Sequence, residues 1–563
     1  MKAPWLTDIG EKTLQGGYLL PGETQEGMFK RLANAASHIL GRPDLTDKFF
    51  NMLWNNWLCP ASPVASNLGT QNLPISCYAS SVNDSTSDIF QHYHEIAMLS
   101  KYGGGTGSYW GNIRPRGTAI SKGGTSDGIV PWLKVLEGTI NSVSQAGVRR
   151  GAVAAYLDVE HLDIEEFIGI RHNNGDISRK ALSVGFHHGV CISDKFMEDA
   201  IAGKTKERYI FNEIMKHRVE TGEPYLMFKD TANRTMPNVF KTNNLKIETS
   251  NLCSEIFLPT DKDHTFVCCL SSLNLARYDE WKDTDTVYYA TMFLDAVMQD
   301  FINKTTNIQG FEKSRNFAIK SRSLGLGALG WHTLLQQKGL PFDSFQSMTL
   351  NAQIFSQIQK QSQQASRDMA IKYGEPEWCK GSGLRNSTTM AVAPTVSNSI
   401  ISGGLSQGIE PISSNVYMHK TAKGSFLRKN PILESLLELK GMNTADVWIK
   451  INNDKGSVRN LNLSSEEKLV FLTAREINQF AIIKQASQRQ KFIDQGQSVN
   501  LYFALPTEIS DPIEKKKLSQ YMLQVHIEAW RSGLKSLYYM KTESILKGEP
   551  VFQDSAACAA CEG

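Results

Sequence analysis

Nine cysteines lie at positions 59, 77, 191, 253, 268, 269, 379, 558 and 561 of a 563-residue chain, too dispersed to staple it into a disulfide scaffold. A chain of this length without cross-links must bury a large apolar core. Its 41 % hydrophobic and 21 % charged residues are those of an ordinary globular protein, so the core is available. Large barrels absorb several hundred residues, and one catalytic domain with appendages accommodates the length as well as three small domains do. In a reducing compartment the cysteines belong buried, bound to metal or engaged in redox chemistry. Only Cys558-Ala559-Ala560-Cys561 has metal-ligand spacing, and no second Cys or His pair stands close to it in sequence.

The cysteine with the most telling neighbours is Cys253, in Ser250-Asn251-Leu252-Cys253-Ser254-Glu255. In an extended segment side chains alternate with period two, which would turn Asn251, Cys253 and Glu255 to one face. A thiol would then stand between a hydrogen-bonding amide and a base, as a radical or nucleophile centre requires. Taken alone, the six residues read first as a turn into Ile256-Phe257-Leu258 with an ordinary buried cysteine.

Charge narrows the partners. Sixty basic against 57 acidic residues leave +3, which argues against direct DNA binding and for a small substrate, with local basic loops free to hold a nucleotide phosphate. No apolar run approaches the ~20 residues that cross a bilayer, and no secretory core follows Met1-Lys2-Ala3-Pro4-Trp5. The expected location is the cytoplasm, that of the host if the chain is phage-encoded.

Along the chain, residues 6 to about 58 read as amphipathic helix, with Met28, Leu32, Ala35 and Ile39 on one face. Pro60, Pro63 and Pro74 mark loops before a short strand over residues 75–82 carrying Ser76 and Cys77. Residues 101–117 form a glycine-rich run ending in Arg114 and Arg116, read as a ligand loop or a plain flexible loop. A second polar loop, 172–180, follows a helical stretch at 164–170. Val267 to Leu275 reads as a buried strand continuing into a helix, on which Cys268 and Cys269 face opposite ways. Residues 350–370 read as a long helix. An apolar strand then leads to Thr395-Val396-Ser397-Asn398-Ser399, a candidate phosphate cradle of hydroxyls and backbone N–H groups. Further helices are expected over 464–490 and 518–530, then Tyr538-Tyr539, and from residue 547 a mobile tail with little to bury.

Asn251-Leu252-Cys253-Ser254-Glu255, Cys77, Cys268-Cys269-Leu270 with Asn274-Leu275, Pro394 to Asn398, Tyr538-Tyr539 and a tail cysteine pair stand in one order in one chain. Together they resemble the large, catalytic (alpha) subunit of class I ribonucleotide reductase over nearly the whole length. The resemblance implies a ten-stranded α/β barrel with a central finger loop (71–544), a short helical N-terminal subdomain (1–70) and a flexible redox tail (545–563). It implies Cys253 as the thiyl radical site that abstracts the ribose 3′ hydrogen, Glu255 as base for the 3′-hydroxyl, and Asn251 as hydrogen-bonding partner of the ribose hydroxyls. Cys77 and Cys268 become the dithiol oxidised in each turnover. Cys268 is chosen over Cys269 because it fits the family pattern Cys-x-Leu-x-x-x-Asn-Leu, although the doublet departs from the usual single cysteine.

By the same resemblance, Tyr538 and Tyr539 relay the radical from a dimetal small (beta) subunit. Cys558 and Cys561 shuttle electrons from thioredoxin or glutaredoxin, over the roughly 40 Å that about 12 extended residues span. Ser62, Ser76, Gly105 and Thr395, Val396, Ser397 and Asn398 contact a nucleoside diphosphate. Asp84, Arg114 and Lys122 form an effector site for dNTP or ATP, linked to base choice by the Arg179 region. No bound metal is expected on this chain, a homodimer is allowed, and only 76 residues precede Cys77, too few for an ATP-cone. The readings outside this set are an adenosylcobalamin-dependent reductase acting alone and a zinc or thiol-binding protein.

Overall fold

The computed structural model describes residues 3–75, 77–121, 123–143, 151–172, 185–421, 424–505 and 511–542. Ser76, Lys122, the Arg179 region, Cys558 and Cys561 lie outside them.

The N-terminal segment folds as three helices, Asp8–Gln15, Gln25–Ile39 and Thr46–Trp54. Thr24 starts the second by accepting a hydrogen bond from Gly27 N. Its buried stripe runs through Met28, Phe29, Leu32, Ala33 and Ala36, with Ala35 and Ile39 at its edge. The expected face is therefore rotated by about one residue. The proline-marked stretch is more ordered than expected. It holds β1 (Leu58–Pro60) and a helix, Ser62–Asn67, that takes Pro63 in its first turn, where a missing N–H costs nothing.

Two runs of parallel strands form the body. The first comprises β2 (Cys77–Ser81), β3 (Gly105–Tyr109), β4 (Ala152–Asp158), β5 (Phe186–Ile192) and β6 (Tyr225–Phe228), each paired with the next. The second begins at β7 (Phe266–Asn274) and β8 (Leu324–Leu329). It continues through single parallel bridges, Leu326 to Met390 and Val392 to Gln497, into β11 (Leu501–Phe503) and β13 (Met540–Thr542); β9 (Val416–Thr421) and β10 (Gly424–Lys429) form a hairpin apart. The runs meet antiparallel twice, β2 against β7 and β12 (Ser536–Leu537) against β6. Ten extended segments thus close a barrel, with no open sheet edge between the two halves.

The strands are buried on both faces, which is why they read as near-continuous apolar runs. Alternation sorts their side chains. Val153, Ala155, Leu157, Val190, Ile192, Leu226 and Phe228 join the main core beneath the helices. Ala152, Ala154, Tyr156, Cys191, Tyr225 and Met227 turn inward and pack with Leu252, Cys253 and Tyr538. The glycine-rich run is not a free loop, since Gly105–Tyr109 is a central barrel strand. The helix expected over 464–490 is two, Ser465–Val470 and Gln479–Gln490, while the long helix extends to Phe345–Tyr373 and the last to Pro512–Arg531. Among the described residues no helix is long and apolar enough to cross a membrane.

Candidate active site in the barrel interior

Residues 247–258 form a finger that enters the barrel between the two halves. Gly107 on β3 admits it: a Cβ there would lie 1.9 Å from the Ser250 carbonyl oxygen. At the tip the chain is a tight turn, not an extended strand, with Ser254 at φ 62° in the left-handed region. The period-two argument for Asn251, Cys253 and Glu255 therefore fails, and the alternative reading as a turn is correct. Asn251 and Glu255 meet across the turn instead. Asn251 Nδ2 donates to Glu255 Oε1 at 3.0 Å, and Asn251 Oδ1 accepts from the backbone N of Glu255 and Ile256 at 3.1 and 3.2 Å.

The barrel wall fixes this strained tip from several strands. Tyr156 Oη donates to the Asn251 carbonyl at 2.7 Å and lies 2.9 Å from Ser254 Oγ. Ser498 Oγ lies 2.6 Å from the Cys253 carbonyl oxygen and 3.1 Å from Glu255 Oε2, and Ser536 Oγ donates to the Ser254 carbonyl at 2.6 Å. Glu255 is 1 % exposed. Burial pushes its carboxyl up to about 7, against the opposing hydrogen bonds from Asn251, its own backbone and Ser498.

The two redox candidates sit side by side. Cys77 on β2 is the direct partner of Cys268 on β7 in an antiparallel ladder. Opposed residues in such a ladder have Cα atoms about 4.5–5.5 Å apart, within the range a disulfide bridges. Gln495 Nε2 stands 3.3 Å from Cys268 Sγ, and burial pushes that thiol well above its usual range. Cys269 points the other way, opposite Leu324 of β8 and under the charge of Asp295 on the helix Thr286–Lys304.

Tyr538 and Tyr539 link β12 to β13, with ring centroids 4.4 Å apart and planes tilted by 55°. Tyr225 joins them at 4.6 and 5.0 Å, so the pair is part of a triple cluster rather than a parallel stack. Tyr538 packs in the same inward cluster as Cys253.

Two family models match this chain. "Ribonucleotide reductase, all-alpha domain" covers residues 4–72, and "Ribonucleotide reductase, barrel domain" covers 75–207, 200–382 and 376–540. The chain belongs to the ribonucleotide reductases. Within them it is a class I large subunit. It is 37 % identical to the putative ribonucleoside-diphosphate reductase large subunit of Frog virus 3, over 93 % of each chain. Identity is 32 % to the large subunit of Invertebrate iridescent virus 3, over 92 % of each. The class Id alpha subunit of Actinobacillus ureae superposes with a TM-score of 0.88 at 40 % identity, covering 96 % of this chain and 98 % of that one.

The remaining candidate residues of this reductase fall into three places. Gly105 is the β3 partner of Cys77, beside the redox pair. Thr395, at φ 52°, precedes the short helix Val396–Ile401, its Oγ1 accepting from Gly408 N at 2.8 Å. Asn398 Nδ2 donates to the Pro60 carbonyl at 3.1 Å, which brings residues 395–398 to the segment of Ser62; Ser62 Oγ lies 2.9 Å from Tyr18 Oη. Asp84 and Arg114 are an ion pair of 2.7 Å, but they follow the C-terminal ends of β2 and β3, whereas Cys77 and Gly105 begin those strands. They are not part of the interior cluster.

Several site residues escape a reading of the sequence. Gln495 and Ser498 lie in Asp494-Gln495-Gly496-Gln497-Ser498, a polar stretch that looks like a surface loop yet is buried from Gln495 to Ser498 against the finger. Only the tertiary fold reveals it. Glu223 is different. It takes His187 Nδ1 at 2.7 Å, His188 Nδ1 at 3.1 Å and Arg171 Nη2 at 2.7 Å, and His187 Nδ1 lies 3.3 Å from Tyr539 Oη. The histidine doublet inside an apolar strand was the available signal, because buried imidazoles need partners.

Proposed function

We propose that this class I large subunit reduces ribonucleoside diphosphates to 2′-deoxyribonucleoside diphosphates in the cytoplasm, with the finger-loop thiol of Cys253 as the hydrogen-atom carrier. The observation that carries the proposal is the direct cross-strand opposition of Cys77 and Cys268 in the barrel that also receives Asn251, Cys253 and Glu255. A thiyl at Cys253, formed by radical transfer from a small subunit through Tyr539 and Tyr538, takes the 3′ hydrogen. Glu255, with a pKa near neutrality, accepts the 3′-hydroxyl proton while Asn251 holds the pair of oxygens.

The 2′-hydroxyl leaves as water with a proton from the dithiol. Cys77 and Cys268 supply two electrons and become a disulfide, and Cys253 gives its hydrogen atom back to C3′, which regenerates the thiyl. Residues 395–398, Ser62, Ser76 and Gly105 hold the diphosphate and ribose. Asp84, Arg114 and Lys122 hold a nucleotide effector, with the Arg179 region coupling it to base choice. Thioredoxin or glutaredoxin renews the dithiol through Cys558 and Cys561.

A comparison of Cys268→Ser with Cys269→Ser, assayed with the small subunit and dithiothreitol, tests the central claim. Cys268→Ser is expected to abolish multiple turnover and Cys269→Ser to retain most of it. Equal loss in both overturns the assignment of the dithiol. In the same assay Cys558→Ser is expected to leave dithiothreitol-driven turnover intact and block thioredoxin-driven turnover.

A further inference from the structure

Outside the barrel interior, three metal-binding side chains converge where the segment after the helix Ile164–Ile168 meets the helix Thr205–Thr221. His172, His217 and Glu220 each present one ligand atom within 4.8 Å of the other two. The imidazole rings are 4.6 Å apart, and His172 Nε2 is 3.4 Å from Glu220 Oε2. Neither His172 Nε2 nor His217 Nδ1 has a hydrogen-bond partner, although both atoms are buried. Such atoms are costly unless something outside the chain satisfies them.

The other nitrogen of His217 completes the pattern. His217 Nε2 faces Glu213 Oε2 at 3.9 Å, one helical turn back. A carboxylate behind a ligating imidazole fixes the ring's orientation and directs the opposite nitrogen, here Nδ1, at the metal. Linear sequence hides this arrangement, because His172 is 45 residues from His217 and only the helix brings His217 and Glu220 to one face.

We propose that His172, His217 and Glu220 form a binding site for a divalent transition metal of the zinc class, with Glu213 positioning His217. Two imidazoles and one carboxylate suit zinc, whose fourth position water would fill. His172 and Glu220 are half-exposed and His217 is largely buried, and the three need move only about 1 Å to close from their present spacing to ligand–ligand distances around 3.3 Å. A metal here would clamp residues 169–172 to the helix. Arg171, next to His172, holds Glu223, and Glu223 holds the His187 beside Tyr539. The clamp would therefore brace one wall of the tyrosine cluster without touching it.

Full-length protein carrying Cys558→Ser and Cys561→Ser, which removes the tail thiolates, should retain one Zn2+ per chain after dialysis. It should also bind Co2+ with a four-coordinate spectrum free of thiolate charge-transfer bands. His217→Ala and Glu220→Gln should each weaken zinc at least tenfold, and Glu213→Gln about tenfold. His172→Gln, on a side chain 40 % exposed, serves as the ligand variant if His217→Ala does not fold. Failure of the tail variant to retain zinc, or unchanged affinity in the ligand variants, overturns the site.

Discussion

Glu255 at the finger tip and Glu223 beside the tyrosine cluster are equally buried, each 1 % exposed, yet their carboxyls are driven in opposite directions. Glu255 has only neutral donors, Asn251, Ser498 and its own backbone, and burial wins, raising it to about 7. Glu223 is desolvated as well, but Arg171, His187 and His188 surround it and hold it well below the usual carboxylate range. A desolvated carboxylate is thus a proton acceptor near neutrality or a permanent anchor depending on whether a cation faces it. The first arrangement suits proton transfer near neutrality at the expense of stability. The second fixes the strand carrying His187 and the turn before Tyr225.

The largest separation between the two should appear on neutralising each in turn. Glu255→Gln is expected to lower kcat by about 10²–10⁴, the usual range for losing a general base, with little change in KM and no loss of melting temperature. Glu223→Gln should do the reverse and destabilise the fold by about 3 kcal/mol, because it strands a partly buried guanidinium and two imidazoles. Equilibrium denaturation and steady-state turnover on the same two variants check this. A Glu255 variant that loses stability but keeps turnover would collapse the distinction.

What the sequence made legible follows the same divide. The strands near residues 75–82 and 267–275 were readable because apolar runs are local, whereas the barrel, the finger and the choice of Cys77 with Cys268 came from the resemblance to the family. The geometry of the tip came from neither. Alternation along an extended chain was the wrong reason for Asn251 and Glu255 to meet; the turn at Ser254 is held by Tyr156, Ser498 and Ser536 from three other segments of the barrel. Gly105–Tyr109 looked like a loop because glycine is scarce in strands. The glycine at 107 is there for the finger, a reason that lies 143 residues away in sequence. Glu223 is one more polar residue until β5 brings His187 and His188 to it.

Stability against pH offers a finer test. Glu255 has a folded pKa above its unfolded value, so between about pH 4.5 and 7 the folded state holds more protons than the unfolded one. Stability then falls as pH rises through that window, by about 3 kcal/mol in all for a shift from 4.5 to about 7. Glu223 is depressed, so its contribution is complete above the ordinary glutamate range and is lost as pH falls below it. Glu255→Gln should flatten the decline between pH 4.5 and 7, and Glu223→Gln should flatten the loss at acid pH. Urea midpoints measured across pH read both, and a decline unchanged in Glu255→Gln would show that the finger carboxylate is not the group responsible.

The smallest expected effect isolates a single hydrogen bond. Ser498 Oγ lies within hydrogen-bond distance of Glu255 Oε2 and of the Cys253 carbonyl oxygen, and the carboxylate bond favours the ionised form. Hydrogen bonds to charged groups contribute about 1.5–3 kcal/mol, and sharing the hydroxyl with a carbonyl reduces that. Ser498→Ala should therefore raise the acid limb of the kcat/KM profile by about one pH unit, at 1.36 kcal/mol per unit, while leaving turnover at high pH within a few-fold of wild type. Glu223 is held by several partners including a guanidinium, so losing one neutral donor such as His188 should leave its ionisation unchanged at any pH where the enzyme is folded. A shift of the limb in Ser498→Ala and none in His188→Gln would show that the finger carboxylate is tuned by individual neutral donors, whereas the anchor is set by charge.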